Sequence, residues 1–191
     1  MGKKLIIWGL VILLVVVAPV MGWGIYQTHH YKGSEIDYSI EIDRERPLVW
    51  YYLTDAGYRQ IWTPNLEALT AMGGIPYTVG EQTLITLVID GVPYEYTEKV
   101  TSIDPPTYWE LALQAVGFKG NITYNLRKLD NGGTRVEVVR KVRYQTLMAV
   151  MMEPFLERTQ RRNLIEGLQK MKRLAESAPK SETDNPAFEH G

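Results

Sequence analysis

From residue 5 to residue 25 the chain is apolar without interruption, LIIWGLVILLVVVAPVMGWGI, with Trp8 and Trp23 near its ends. At about 1.5 Å rise per residue this run spans roughly 30 Å, one hydrocarbon thickness, and tryptophans near the ends suit the two interfaces. The pattern predicts a transmembrane anchor over residues 5–25, preceded by a short cap (1–4) carrying Lys3 and Lys4. A cleaved signal peptide is the alternative, but Ala18 is followed by Pro19 and no A-x-A site is present. Lys3 and Lys4 precede the span and only Lys32 follows closely, so the positive-inside rule places the amino terminus in the cytoplasm. The remainder is then expected on the extracytoplasmic side.

After a polar linker (26–33) the period changes to two: Ile36, Tyr38, Ile40 and Ile42 alternate with Glu35, Asp37, Ser39 and Glu41. That alternation predicts a half-buried strand. Pro47 fits the first turn of a helix with Val49, Trp50 and Leu53 on one side. Asp55-Ala56-Gly57 breaks this helix, and a second short one over Tyr58 to Ile61 stops at Trp62-Thr63-Pro64-Asn65. Strand-like runs follow: LEALTAM and QTLITLVID across Gly73-Gly74, YEYTEKVTSI after Gly91, and YWELALQA after Asp104-Pro105-Pro106. FKGNITYNLRKL then meets TRVEVVRKVRYQ across DNGG, whose glycines supply the positive φ a hairpin turn needs. Close spacing and tight turns predict an antiparallel meander.

From Leu147 the period becomes helical. Val150, Met151, Phe155, Leu164, Leu168, Met171 and Leu174 mark an apolar face. Arg158, Arg161, Arg162, Glu166, Gln169 and Arg173 mark a mixed-charge face of the kind water solvates. Pro154 either kinks this helix or marks its start. The polar residues 177–191 predict a disordered tail.

The aromatic-rich stretch IEIDRERPLVWYYLTDAGYRQIWTPN resembles the opening of the START-like superfamily, also called SRPBCC, in its polyketide cyclase/dehydrase and lipid-transport branch. Members typically show a strand, a Val-Trp or Val-Phe pair, a Leu-Thr-Asp, and a Trp before a Pro-containing turn. Val49-Trp50, Leu53-Thr54-Asp55, and Trp62 with Pro64 occupy those places. Asp104-Pro105-Pro106, Gly132-Gly133-Thr134 and the Pro-bearing last helix are also similar. The resemblance covers residues 34–176. It implies an α+β helix-grip fold, with a curved antiparallel sheet around a long carboxy-terminal helix, a cavity between them, and the transmembrane helix in front.

Composition narrows the chemistry. Acidic residues number 22 and basic residues 21, and no basic stripe is interleaved with aromatics, so nucleic-acid binding is not expected. Cysteine is absent and the histidines, His29, His30 and His190, all lie outside residues 34–176. That excludes Ser-His-Asp and Cys-His catalysis and the usual transition-metal sites within the domain. No cofactor or metal is expected. Strand parity places Tyr94, Tyr96, Glu98 and Val100 on one face, and Val136, Val138, Arg140, Val142 and Tyr144 on another. If the valine faces point inward, Glu98 and Arg140 do too and are expected to pair, because an unpaired buried charge is costly. A β-bulge reversing the parity is the competing expectation and leaves both in water.

Trp50, Trp62, Tyr96, Glu98, Tyr124 and Arg140 are therefore the candidate ligand contacts, with plain core packing the alternative for Trp50 and Trp62. The expected function is a membrane-anchored domain binding a hydrophobic small molecule or lipid without catalysis. The alternatives are a cyclase/dehydratase-type enzyme using tyrosine or carboxylate acid–base groups, or a tethered interaction module with a filled interior. The sequence leaves ligand identity and oligomeric state open.

Overall fold

The computed structural model describes residues 33–179, together with positions 15, 19 and 22 of the amino-terminal segment. The expected anchor (5–25) and the tail beyond residue 179 thus lie outside the described residues, those three positions apart. Among the described residues no helix is long and apolar enough to cross a membrane.

The alternating segment forms β1 (Ser34–Ile42), with Ser34, Ile36 and Ile42 buried and the intervening acids exposed. Pro47 lies in the first turn of α1 (Arg46–Thr54), where its missing N–H has no intrahelical partner to lose. Val49 and Leu53 are fully buried on its inner side. The break after α1 is a single residue: Asp55 ends one helix and caps α2 (Ala56–Trp62), its carboxylate accepting from Tyr58 N–H at 3.1 Å.

Six further strands follow: β2 (Leu66–Gly73), β3 (Gln82–Ile89), β4 (Val92–Asp104), β5 (Tyr108–Ala115), β6 (Phe118–Lys128) and β7 (Thr134–Tyr144). They form one antiparallel sheet in the order β1-β7-β6-β5-β4-β3-β2, so the meander closes by returning the first strand beside the last. β2 is an edge strand and its register against β3 shifts twice, between Leu66 and Ala68 and between Ala71 and Gly73. The β2–β3 connection is longer than the tight Gly73-Gly74 turn expected, and exposes Ile75, Tyr77 and Val79.

Pro154 settles its own question. A short helix α3 (Leu147–Met151) ends before it, and α4 (Glu153–Ser177) begins with it in the first turn. Leu168, Met171 and Ala175 on α4 are fully buried against Val49, Leu53 and Trp62 of α1–α2 and the inner sheet residues Leu111, Leu126, Val136 and Val138. Gly167 makes this approach possible: a Cβ there would lie 3.2 Å from both Pro64 Cδ and Trp62 O. The far end of α4 is tied to the β1–α1 corner. Arg44 Nη2 donates to Glu176 O and, at 2.9 Å, to Ala178 O, and Glu176 Oε1 accepts from Asp43 N–H at 2.9 Å. This satisfies carbonyls that a helix end leaves without partners.

Of the apolar face read from helical spacing, Val150, Leu168 and Met171 are buried and Leu164 and Leu174 half-buried, but two members are not covered. Met151 and Phe155 are 49% and 71% exposed. Val150 packs with Val142 and Tyr144 at the end of β7, leaving Met151 and Phe155 uncovered beside it.

Candidate functional site

The inner face of the sheet combines aromatic rings with buried charge. On β4, Glu98 is 6% exposed and points inward between the flanking inner residues Tyr96 and Val100. On β5, Trp109, Leu111 and Leu113 are buried, alternating with more exposed neighbours; on β6, Ile122, Tyr124 and Leu126 do the same. Arg140 lies on the buried parity of β7 between Val138 and Val142, and is itself half-buried. The one bulge in the β4–β5 pairing falls between Val100 and Ser102, beyond Glu98, and leaves the parity at Glu98 undisturbed.

The expected Glu98–Arg140 pair does not form. Register explains why: Arg140 is level with Ile122, Leu111 and Val100, three strand spacings from β4, or about 14 Å across the sheet. Glu98 is reached instead from above the sheet, by Arg59 of α2, with Nη2 2.8 Å from Glu98 Oε2 and side chains only 12% and 7% exposed. The guanidinium also lies over the Trp109 ring, 5.3 Å from its centroid. Burial opposes the charge on Arg59, but the Glu98 carboxylate, with Tyr124 and Tyr96 beside it, offsets this and holds the guanidinium above its ordinary range. Tyr96 hydroxyl donates a long hydrogen bond to Glu98 Oε1 at 3.4 Å.

Aromatic packing extends from this pair. Trp109 stacks on Tyr124 with centroids 5.7 Å apart at 28°, and Trp50 leans on Trp109 at 6.5 Å. Trp62 is a core residue whose Nε1 donates to Tyr52 O at 2.9 Å, whereas Trp50 remains half-buried at the edge of the cluster. Burial pushes the Tyr96 and Tyr124 phenols above the usual tyrosine value; the Glu98 charge adds to this, and Arg59 and Arg140 work against it.

Donor balance gives the cluster its chemical character. Arg59 Nε, Trp109 Nε1 and Arg140 Nε are buried without a hydrogen-bond partner. All are N–H donors, and no acceptor from the described residues meets them. Such orphaned groups are costly unless something with acceptor oxygens completes them. Arg59 and Trp109 were missed by strand-parity reasoning about Glu98 and Arg140. Trp109 was legible, since YWELALQA puts Trp109, Leu111 and Leu113 on one face. Arg59 was not, because a long side chain on a short helix reaches across space that sequence spacing does not measure.

Between the sheet and α4, Trp109 and Tyr124 pack with Leu111, Leu168 and Met171 in one apolar cluster, with Trp50 and Tyr96 at its edge. Two open surface hollows lie elsewhere. One of about 310 Å3 is at the Ser34 end of β1, β6 and β7, among Lys119, Gly120, Lys141 and Arg143. The other, about 230 Å3, lies among Thr97, Lys99, Gln114 and Lys119 on the outer face. No cluster of His, Asp or Glu suited to a metal occurs among the described residues.

Residues 34–176 match the family described as polyketide cyclase/dehydrase and lipid transport, and the chain belongs to that family. The fold is similar to that of a protein from Thermus thermophilus (TM-score 0.64, 14% identity, covering 76% of this chain and 100% of that one). It is similar also to a conserved protein from Geobacillus kaustophilus (0.63, 16%, 74% and 95%). A START superfamily protein from Mycobacterium smegmatis gives 0.62 at 14% identity, covering 75% and 98%. At such identities the likeness concerns the fold. No curated protein matches the chain.

Proposed function

We propose that this protein is a membrane-anchored START-like domain that binds a hydrophobic small molecule or lipid with an acceptor-bearing head, without covalent catalysis. One observation carries the reading: Arg59 Nε, Trp109 Nε1 and Arg140 Nε are buried donors without acceptors among the described residues, set among Tyr96, Tyr124 and Trp50. A carboxylate or carbonyl head would complete the donors, and the rings would cover an apolar body. The apolar run at residues 5–25 supports an anchor with the amino terminus in the cytoplasm. Family membership supports the ligand class. Against catalysis, residues 33–179 contain no His or Cys, and the raised phenols of Tyr96 and Tyr124 are poorly matched to proton transfer at neutral pH.

The test is titration of the full chain in detergent with a long-chain fatty acid and its methyl ester, followed by tryptophan fluorescence. Binding of the acid, weakened about tenfold or more by Arg140→Gln, is expected from loss of a charge-assisted hydrogen bond. Absence of any binding by the unaltered chain overturns the reading and favours a tethered interaction module whose aromatic interior is simply core.

A further inference from the structure

The amino-terminal segment joins the domain at one end of the sheet, and that end has a distinctive surface. Ser34 is level with Val142 and Gly120, and the next steps of the ladder pair Lys119 with Arg143 and Phe118 with Tyr144. Just beyond, Gln145 N–H donates to Gly117 O at 2.8 Å, so the β5–β6 turn touches the start of the α3 region. The apolar side chains gathered here are uncovered: Val116 is fully exposed, Met148 72%, Met151 49%, Met152 46% and Phe155 71%. A soluble surface seldom concentrates large apolar groups in this way without an interaction to serve. Beside them Lys119, Lys141 and Arg143 are exposed around the 310 Å3 hollow. Glu35 pairs with Lys141 at 3.3 Å, while Lys119 and Arg143 form no ion pair among the described residues.

We infer that this end of the domain docks on an anionic lipid bilayer, with Met148, Met151, Met152, Phe155 and Val116 entering the interface and Lys119 and Arg143 meeting lipid phosphates. The position of the preceding chain favours this occupant. The linker (26–33) enters the domain at Ser34, so an anchor at 5–25 tethers this end of the sheet directly to the membrane. Apolar side chains flanked by basic ones match the interface and its phosphates respectively. The inference rests on the anchored reading above and adds an orientation to it.

The chain has no native cysteine, so single probes can be placed cleanly. Full chain carrying Met148→Cys labelled with an environment-sensitive fluorophore is reconstituted in phosphatidylcholine vesicles with and without phosphatidylglycerol, beside a control labelled at Asp130→Cys in the far β6–β7 turn. The expected result is a blue-shifted Met148 probe, quenched by lipid carrying a shallow spin label and enhanced by phosphatidylglycerol, with the Asp130 probe aqueous. Lys119→Glu with Arg143→Glu should remove the phosphatidylglycerol enhancement while the chain still floats with vesicles. Flotation with an aqueous Met148 probe overturns docking and leaves the anchor standing. Failure to float overturns both. A blue shift that grows with protein concentration in detergent and resists the lipid quencher assigns the patch to a second copy, and overturns docking.

Discussion

Arg59 and Glu98 stand at the centre of the inner face, and their burial makes them unequal to ordinary surface pairs. Removing one partner strands the other in a poorly hydrated site, so Arg59→Ala should cost about 3–5 kcal/mol in urea unfolding. Replacing both, as Arg59→Met with Glu98→Leu, should recover most of that loss, because apolar groups of similar volume need no partner. A single-variant cost near zero would mean that water reaches the pair. The phenols beside it make a separate prediction. With folded-state values raised above the ordinary one near 10, Tyr96 and Tyr124 keep their protons when an unfolded chain would lose them. Their contribution to stability is therefore complete below about pH 10 and declines as pH climbs through the folded values. Absorbance titration near 295 nm should show some tyrosines ionising only as the protein unfolds; ionisation of all at ordinary pH would contradict it. Alternation along the strands was enough to place Glu98 and Arg140 on the inner face, because the bulge at Thr101 comes after Glu98. Partner choice depended on inter-strand distance and on a helix crossing above, neither of which one-dimensional spacing contains.

At the level of elements, α4 behaves as two halves. Leu168 is fully buried, and Leu168→Ala should cost about 2–5 kcal/mol. Phe155→Ser, at an exposed site seven tenths open to solvent, should change stability by no more than about 0.5 kcal/mol. Equal effects in thermal unfolding would refute the division. Helical periodicity reported both residues as one apolar face because it records spacing and not what lies opposite. Pro154 was the signal that the element restarts there, and the sequence left its two meanings open. The carboxy-terminal clamp was less legible still: nothing in a 3.6-residue period announces that Arg44 will reach the last carbonyls of α4. Arg44→Ala should destabilise by about 1–3 kcal/mol through lost charged hydrogen bonds. An unchanged urea midpoint for that variant would reduce the clamp to a surface decoration.

For the molecule as a whole, the order of strand, helix pair, meander and final helix could be read almost entirely from period changes and turn residues. Those signals are local, and an antiparallel meander is a nearly local topology. The long-range step, β1 pairing with β7, was not legible, because periodicity within one segment does not say which distant strand lies beside it. The packing of Trp109 and Tyr124 against Leu168 and Met171 was also beyond reach, since it joins elements that only three dimensions bring together. The slipped pairing of β2 against β3 bears on how copies of the domain meet one another. A straight outermost strand would offer each neighbour a ready row of hydrogen-bonding groups. Two dislocations in eight residues spoil that row, so copies should crowd and slide past one another without being stitched into ribbons.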